Sequence, residues 1–94
     1  MDLNELGAKH YEWVERMGWH NKTVLEALAL IASEVGEAVN ECRGEKPTQL
    51  LGEELADIIL RVVDLAQVQH IDLQQEVLKK MEINEQRGTR GRRI

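Results

Sequence analysis

An all-α fold, organised as a four-helix-bundle-like protomer, follows from three features of this 94-residue sequence. Alanine, leucine, glutamate, glutamine and lysine dominate, with one proline and no phenylalanine, a composition that favours helix and gives strands little to build on. Apolar residues recur three and four positions apart through four separate stretches, the spacing of helices that each bury one face. The stretches are joined by connections short enough to fold each helix back on the last. No strict heptad is sustained, so a coiled coil is not predicted.

The first helix starts at Asp2-Leu3-Asn4-Glu5, with Asp2 suited to cap it. Leu3, Leu6, His10, Trp13, Val14 and Met17 share its apolar face, and Gly18 ends it. On this pattern Trp13 is a core residue. Trp19-His20-Asn21-Lys22-Thr23 is the connection, where Asn21 or Thr23 caps a second helix from Thr23 to about Arg43. Gly44 closes that helix, and Glu45-Lys46-Pro47-Thr48 forms a loop whose Thr48 opens a third helix reaching about Gln69. His70-Ile71-Asp72 breaks the pattern, and Asp72 caps a fourth helix ending near Arg87. Residues 88–94 have no apolar period and read as a basic tail. The whole reads as one domain over 1–94.

Charge narrows the class of partner. The formal net charge is −5, yet residues 79–94 hold six basic against two acidic residues, a net +4, which leaves −9 on the first 78. A nucleic-acid binder would carry a basic face on its body. Here the body is acidic, so stable nucleic-acid binding is not expected. An acidic pocket whose anionic ligand is gripped by the basic end fits the distribution better. Cys42 is the only cysteine, which excludes an internal disulfide and fits a reducing compartment; on the core stripe it reads as a small buried hydrophobe. Neither a leader pattern nor an apolar run of membrane length is seen, so the expectation is a cytoplasmic protein without membrane contact. Helices of this total length bury a limited core, and a second copy would extend it.

The chemistry concentrates between Glu34 and Asp57. Glu34-Val35-Gly36-Glu37 and, after sixteen intervening residues, Glu54-Leu55-Ala56-Asp57 are acidic pairs at i, i+3, so each pair shares a helix face. At about 100° per residue, Leu28, Ile31, Val35, Val39 and Cys42 form the core stripe of the second helix, flanked by Glu34, Glu37 and Glu41. The third helix repeats the arrangement. Leu51, Leu55, Ile58, Ile59, Val62, Leu65 and Ala66 make its stripe, with Glu54, Asp57 and Arg61 alongside. Packed antiparallel, the two helices bring the pairs together. Converging carboxylates resist ionisation unless a cation neutralises them. Oxygen ligands without His or Cys indicate Mg²⁺, with Mn²⁺ as a substitute, rather than zinc. A Mg²⁺ held by a few carboxylates keeps positions for water and phosphate oxygens, which points to phosphate chemistry. One such pair alone is usually a solvated face; two in the same phase beside the core form a metal-site pattern. Spacing carries the reading to a divalent cation and stops there.

Glu34-x-x-Glu37 followed by Glu54-x-x-Asp57 resembles the paired acidic motif of the MazG-like nucleoside triphosphate pyrophosphohydrolases. The strings Ser-Glu-Val-Gly-Glu-Ala and Gly-Glu-Glu-Leu-Ala-Asp-Ile, and Lys80-x-x-x-Asn84-x-x-Arg87 on the fourth helix, are similar to that family as well, over roughly residues 22–90. The resemblance implies an all-α bundle that assembles as a dimer or tetramer. It implies cleavage of the α–β phosphoanhydride of a ribo- or deoxyribonucleoside triphosphate to a monophosphate and pyrophosphate. Glu34, Glu37, Glu54 and Asp57 would hold Mg²⁺, with Glu34 or Glu37 orienting or deprotonating the attacking water. Lys80, Asn84 and Arg87, which share one helix face, would bind the polyphosphate or ribose.

All three aromatic residues lie between Tyr11 and Trp19. Trp19 and His20, in the connection before the second helix, are candidates to stack on a nucleobase and to hydrogen-bond its edge. Two alternatives stand beside the main reading. Phosphoribosyl-ATP pyrophosphohydrolase shares the acidic helices of the superfamily, and a non-catalytic dimerisation or regulatory module would use the acids for a structural ion.

Overall fold

The computed structural model describes residues 1–88, which form four α-helices and no strand. These are α1 (Leu3–Arg16), α2 (Val24–Asn40), α3 (Leu51–Val68) and α4 (Leu73–Arg87). The all-α expectation holds. From Thr89 onward the basic tail, including Arg90, Arg92 and Arg93, lies outside the described residues.

Side-chain caps start three of the helices. Asp2 Oδ1 accepts the Glu5 N–H at 2.8 Å, and Glu5 accepts the Asp2 N–H at 3.4 Å. Thr23 and Glu26 make the same reciprocal box at 3.1 and 2.9 Å. Each box satisfies amides that the first helical turn leaves unpaired. Asp72 caps α4 by accepting the Gln75 N–H at 3.1 Å.

The ends of α2 and the start of α3 differ from the periodicity for local reasons. The Glu41 and Cys42 amides bond back three residues, to Ala38 and Val39. The Glu41 carbonyl accepts the Thr48 N–H at 2.9 Å, and its carboxylate accepts the Thr48 hydroxyl. These bonds close the loop and stop α2 at Asn40. Residues 48–50 form a turn, with the Leu51 N–H on the Thr48 carbonyl at 3.2 Å, so α3 opens at Leu51 rather than Thr48. Cys42 therefore lies past the helix end and is exposed, contrary to its expected burial.

Helix α3 is central: α1 and α2 pack against it, while α4 meets chiefly α1. Val63 on α3 is 1% exposed, and Val14, Ala38 and Ala66 are the other buried apolar side chains among the described residues. Close approach of α1 depends on Gly7. A Cβ there would stand 2.8 Å from the Val63 carbonyl oxygen and 3.0 Å from Gln67 Cγ, so no larger residue fits without moving α1. Gly18, at φ 73°, takes the left-handed turn that ends α1.

The fourth helix is tied at its N-terminal end. Asn4 Nδ2 donates to Asp72 at 2.7 Å, Asn4 Oδ1 accepts the Gln74 N–H at 3.0 Å, and Gln74 Oε1 accepts the Leu3 N–H at 3.1 Å. Beyond that clasp, Leu78 and Met81 on α4 are exposed. The core stripes read on α2 and α3 are only half covered, for Leu28, Val35, Val39, Leu55 and Ile59 are 44–60% exposed. The radius of gyration is 15.4 Å, against about 12 Å for a compact domain of this length.

Candidate functional site

The packing of α2 on α3 brings acids from both helices together. Carboxylate oxygens of Glu34, Glu54 and Asp57 all lie within 4.8 Å of one another. Glu34 and Glu54 are half-buried and Asp57 is exposed. Glu54 Oε2 is shut off from solvent and has no hydrogen-bond partner among the described residues, which is costly for a carboxylate. Burial first, then the neighbouring Glu37, Asp57 and Glu34, pushes the Glu54 carboxyl above the usual range. Glu37 thus stands beside Glu54 but outside the three-oxygen group. All-oxygen donors, in excess of local positive charge and with one oxygen lacking any partner, fit a hard divalent cation.

A cavity of about 890 Å³ opens beside these acids, between α1, the Gly18–Thr23 connection, α2 and α3. Glu34, Asp57 and Arg61 line it together with His10, Trp13 and Trp19. The two indoles meet edge-to-face, centroids 5.2 Å apart, and His10 stacks on Trp13 at 5.5 Å. Trp13 is 40% exposed, so its place is the cavity wall and not the core. Periodicity gave its face correctly; Val14 on that face is buried, whereas Trp13 is covered only in part, by Trp19 and His10.

His20 also lines the cavity, though not as a free hydrogen-bonding group. Its Nδ1 lies 2.5 Å from Glu15 Oε2, and its Nε2 is 2.9 and 3.0 Å from the two Asp64 oxygens. The ring stacks on Tyr11 with centroids 4.3 Å apart. A carboxylate at each nitrogen selects the doubly protonated imidazolium. Burial lowers its pKa, but hydrogen bonds and charge from Glu15 and Asp64 together outweigh this and leave it raised. No ring nitrogen is left for a base edge. In this arrangement His20 ties α1 and α3 together at the cavity wall, through Glu15 and Asp64.

Of the residues singled out in the sequence, Glu34, Asp57, Trp19 and His20 line the cavity, with Glu54 and Glu37 adjoining. Lys80, Asn84 and Arg87 sit on α4 and do not line it; Lys80 and Arg87 are exposed and Asn84 half-buried. Arg61, Asp64 and Lys22 line it without having been assigned a role. A signal for two of them was present. Glu54, Asp57, Arg61 and Asp64 are spaced 3, 4 and 3 apart and so form one polar stripe along α3. Arg61 donates its Nε–H to Glu34 Oε1 at 2.9 Å.

A family model, the MazG nucleotide pyrophosphohydrolase domain, matches residues 22–88. The match covers the acidic helices and α4, whereas Trp13, Trp19 and His20 precede it. Comparison with curated proteins and with solved structures gives no significant match.

Proposed function

We propose, from the premise that the chain belongs to the MazG nucleotide pyrophosphohydrolase domain family, that it hydrolyses the α–β phosphoanhydride of ribo- or deoxyribonucleoside triphosphates to monophosphate and pyrophosphate. The observation that supports this most is the unpartnered Glu54 Oε2 within a three-carboxylate group beside an aromatic-lined cavity. Glu34, Glu54 and Asp57, with Glu37 adjoining, would hold Mg²⁺, for which Mn²⁺ can substitute. When bound, the metal supplies Lewis-acid polarisation of phosphoryl oxygens and acidifies a water. Of the two candidates, Glu34 and Glu37, we assign to Glu37 the orienting of that water and the taking of its proton, since it lies outside the three-oxygen group and has no arginine partner. The indoles of Trp13 and Trp19 offer the base a stacking surface.

Lys80, Asn84 and Arg87 lie away from the cavity of their own protomer. In the assembly we propose, a homodimer or a pair of dimers, α4 reaches a neighbouring subunit's acidic site and its cations neutralise the polyphosphate there. Support comes from the half-open apolar faces of α2 and α3 and from the free outer half of α4. Among the described residues no helix is long and apolar enough to cross a membrane, and we place the protein in the cytoplasm.

Product analysis tests the reading. Purified protein is incubated with Mg²⁺ and a panel of nucleoside triphosphates, beside Glu37→Gln and EDTA controls. Monophosphate plus pyrophosphate, lost in both controls, is the expected result. Diphosphate plus phosphate would place the cleaved bond elsewhere. No turnover by a folded protein would redirect the search to phosphoribosyl-ATP, then to a binding module.

A further inference from the structure

Among the described residues, two Lys or Arg side chains line the cavity, Lys22 and Arg61. Lys22 is exposed and its Nζ donates to its neighbour Asn21 at 3.2 Å. Arg61 is placed differently. It stands one turn beyond Asp57 on the polar stripe of α3, is 42% exposed, and reaches across to a Glu34 side chain that is only 14% exposed. The contact uses Nε alone, and both Nη groups make no hydrogen bond to any described residue. Asp57 and Asp64, before and after it on the stripe, form no ion pair with it, and Asp64 is occupied by His20. A guanidinium has five N–H donors in a planar fork suited to phosphate. Here the paired edge of that fork, at the terminal nitrogens, is left open beside the cavity.

From this geometry we infer that Arg61 is an exchangeable counter-ion which holds Glu34 while the acidic site lacks a cation and grips the substrate's phosphates once one is bound. The inference rests on the metal-dependent nucleotide reading above and assigns it a residue from this chain's own α3. A divalent ion and a guanidinium compete for Glu34, since each neutralises it and each repels the other. Bringing in a polyphosphate relieves the repulsion, because the displaced arginine then has anionic oxygens within reach. Arg61 therefore weakens metal binding to the free protein and strengthens nucleotide binding to the metal-loaded one. Linkage makes the two effects a single coupling between metal and nucleotide.

The opposed signs give the test. Mn²⁺ affinity of the nucleotide-free protein is measured by electron paramagnetic resonance of the free ion, for wild type, Arg61→Gln and Arg61→Lys. Binding of the α,β-methylene analogues of the four deoxynucleoside triphosphates is then measured at saturating Mn²⁺ by equilibrium dialysis. Circular dichroism verifies that each variant is helical. Arg61→Gln should bind Mn²⁺ tighter by about fivefold, and the analogues weaker by about tenfold. Arg61→Lys keeps the charge without the fork, so its Mn²⁺ affinity should stay near wild type while analogue binding falls. Unchanged values in Arg61→Gln would reduce the contact to an ordinary surface ion pair and overturn the inference. A loss of both affinities would overturn it too, by making Arg61 a structural prop of the site. Wild-type protein that binds no Mn²⁺ would sink the metal reading itself, and the Arg61 inference with it.

Discussion

At the scale of single residues, the site is held in an unfavourable charge state. Glu54 has a raised pKa, from burial first and from its acidic neighbours after that. The folded protein therefore holds this proton at a pH where the unfolded chain has released it, and stability falls as pH rises through that window. Glu54→Gln removes the liability. Metal-free Glu54→Gln should melt at a higher temperature than wild type at neutral pH, and the difference should vanish at acidic pH. The same variant should lose divalent-cation binding and turnover. His20 behaves with the opposite sign. Its raised pKa stabilises the fold below the pKa of the unfolded histidine, as long as Glu15 and Asp64 are ionised, and that gain is lost as pH rises through the folded value. The stability gap between wild type and His20→Gln should accordingly narrow as pH rises above the ordinary histidine range, as urea titrations across pH would show.

Much of this cluster was legible from spacing. Glu34, Glu54 and Asp57 converge because an i, i+3 acidic pair beside a core stripe has one place to go when two such helices pack. Arg61 and Asp64 continue the stripe but read like any solvated charge, since spacing fixes a face and says nothing of what lies across it. His20 was noticed for its position, yet its two carboxylate partners are 5 and 44 residues away. No local pattern announces the second.

Among the elements, α3 carries the fold and α1 sets how closely the cavity wall stands to it. Gly7→Ala places a Cβ 2.8 Å from the Val63 carbonyl oxygen, a backbone atom that cannot swing aside. The cost should be about 1–3 kcal/mol, the usual range for overpacking, read as a fall in urea midpoint at fixed protein concentration. Thr23→Ala removes one arm of the capping box on α2 and should cost about 1 kcal/mol. Helix number and order were legible because four amphipathic stretches and three breaks leave little choice. The ends of α2 and α3 were not. Thr48 clasps Glu41 across the loop, a contact between residues of unremarkable local propensity. Trp13 was misplaced for a related reason: periodicity identified an apolar face, and only packing decides whether that face is covered.

For the whole molecule, the extent of exposed surface supports the assembly proposed above. The chain exposes 7504 Å² at a mass of 10.8 kDa, whereas a folded monomer of that mass exposes about 5,500 Å². Leu28, Val35 and Val39 form one stripe on α2, and Leu55 and Ile59 adjoin it in phase on α3. Val39 is 60% exposed and belongs to neither the acid group nor the cavity wall. Val39→Glu should therefore shift the species seen by light scattering from dimer towards monomer. Activity should fall with assembly if α4 completes a neighbour's site, and mixing Lys80→Ala with Glu54→Gln protein should then restore part of it. Recovery in the mixture, absent from either variant alone, would require sites built from two chains.

The glycine at the α1–α3 contact has a consequence for genetics. In a survey of every single substitution scored by the activity proposed above, Gly7 would rank beside the carboxylates as intolerant, although it has no side chain with which to do chemistry. Temperature would separate the two classes. Variants at Gly7 should recover activity at low temperature, where a weakened helix contact still holds, while variants at Glu54 should stay inactive at every temperature assayed.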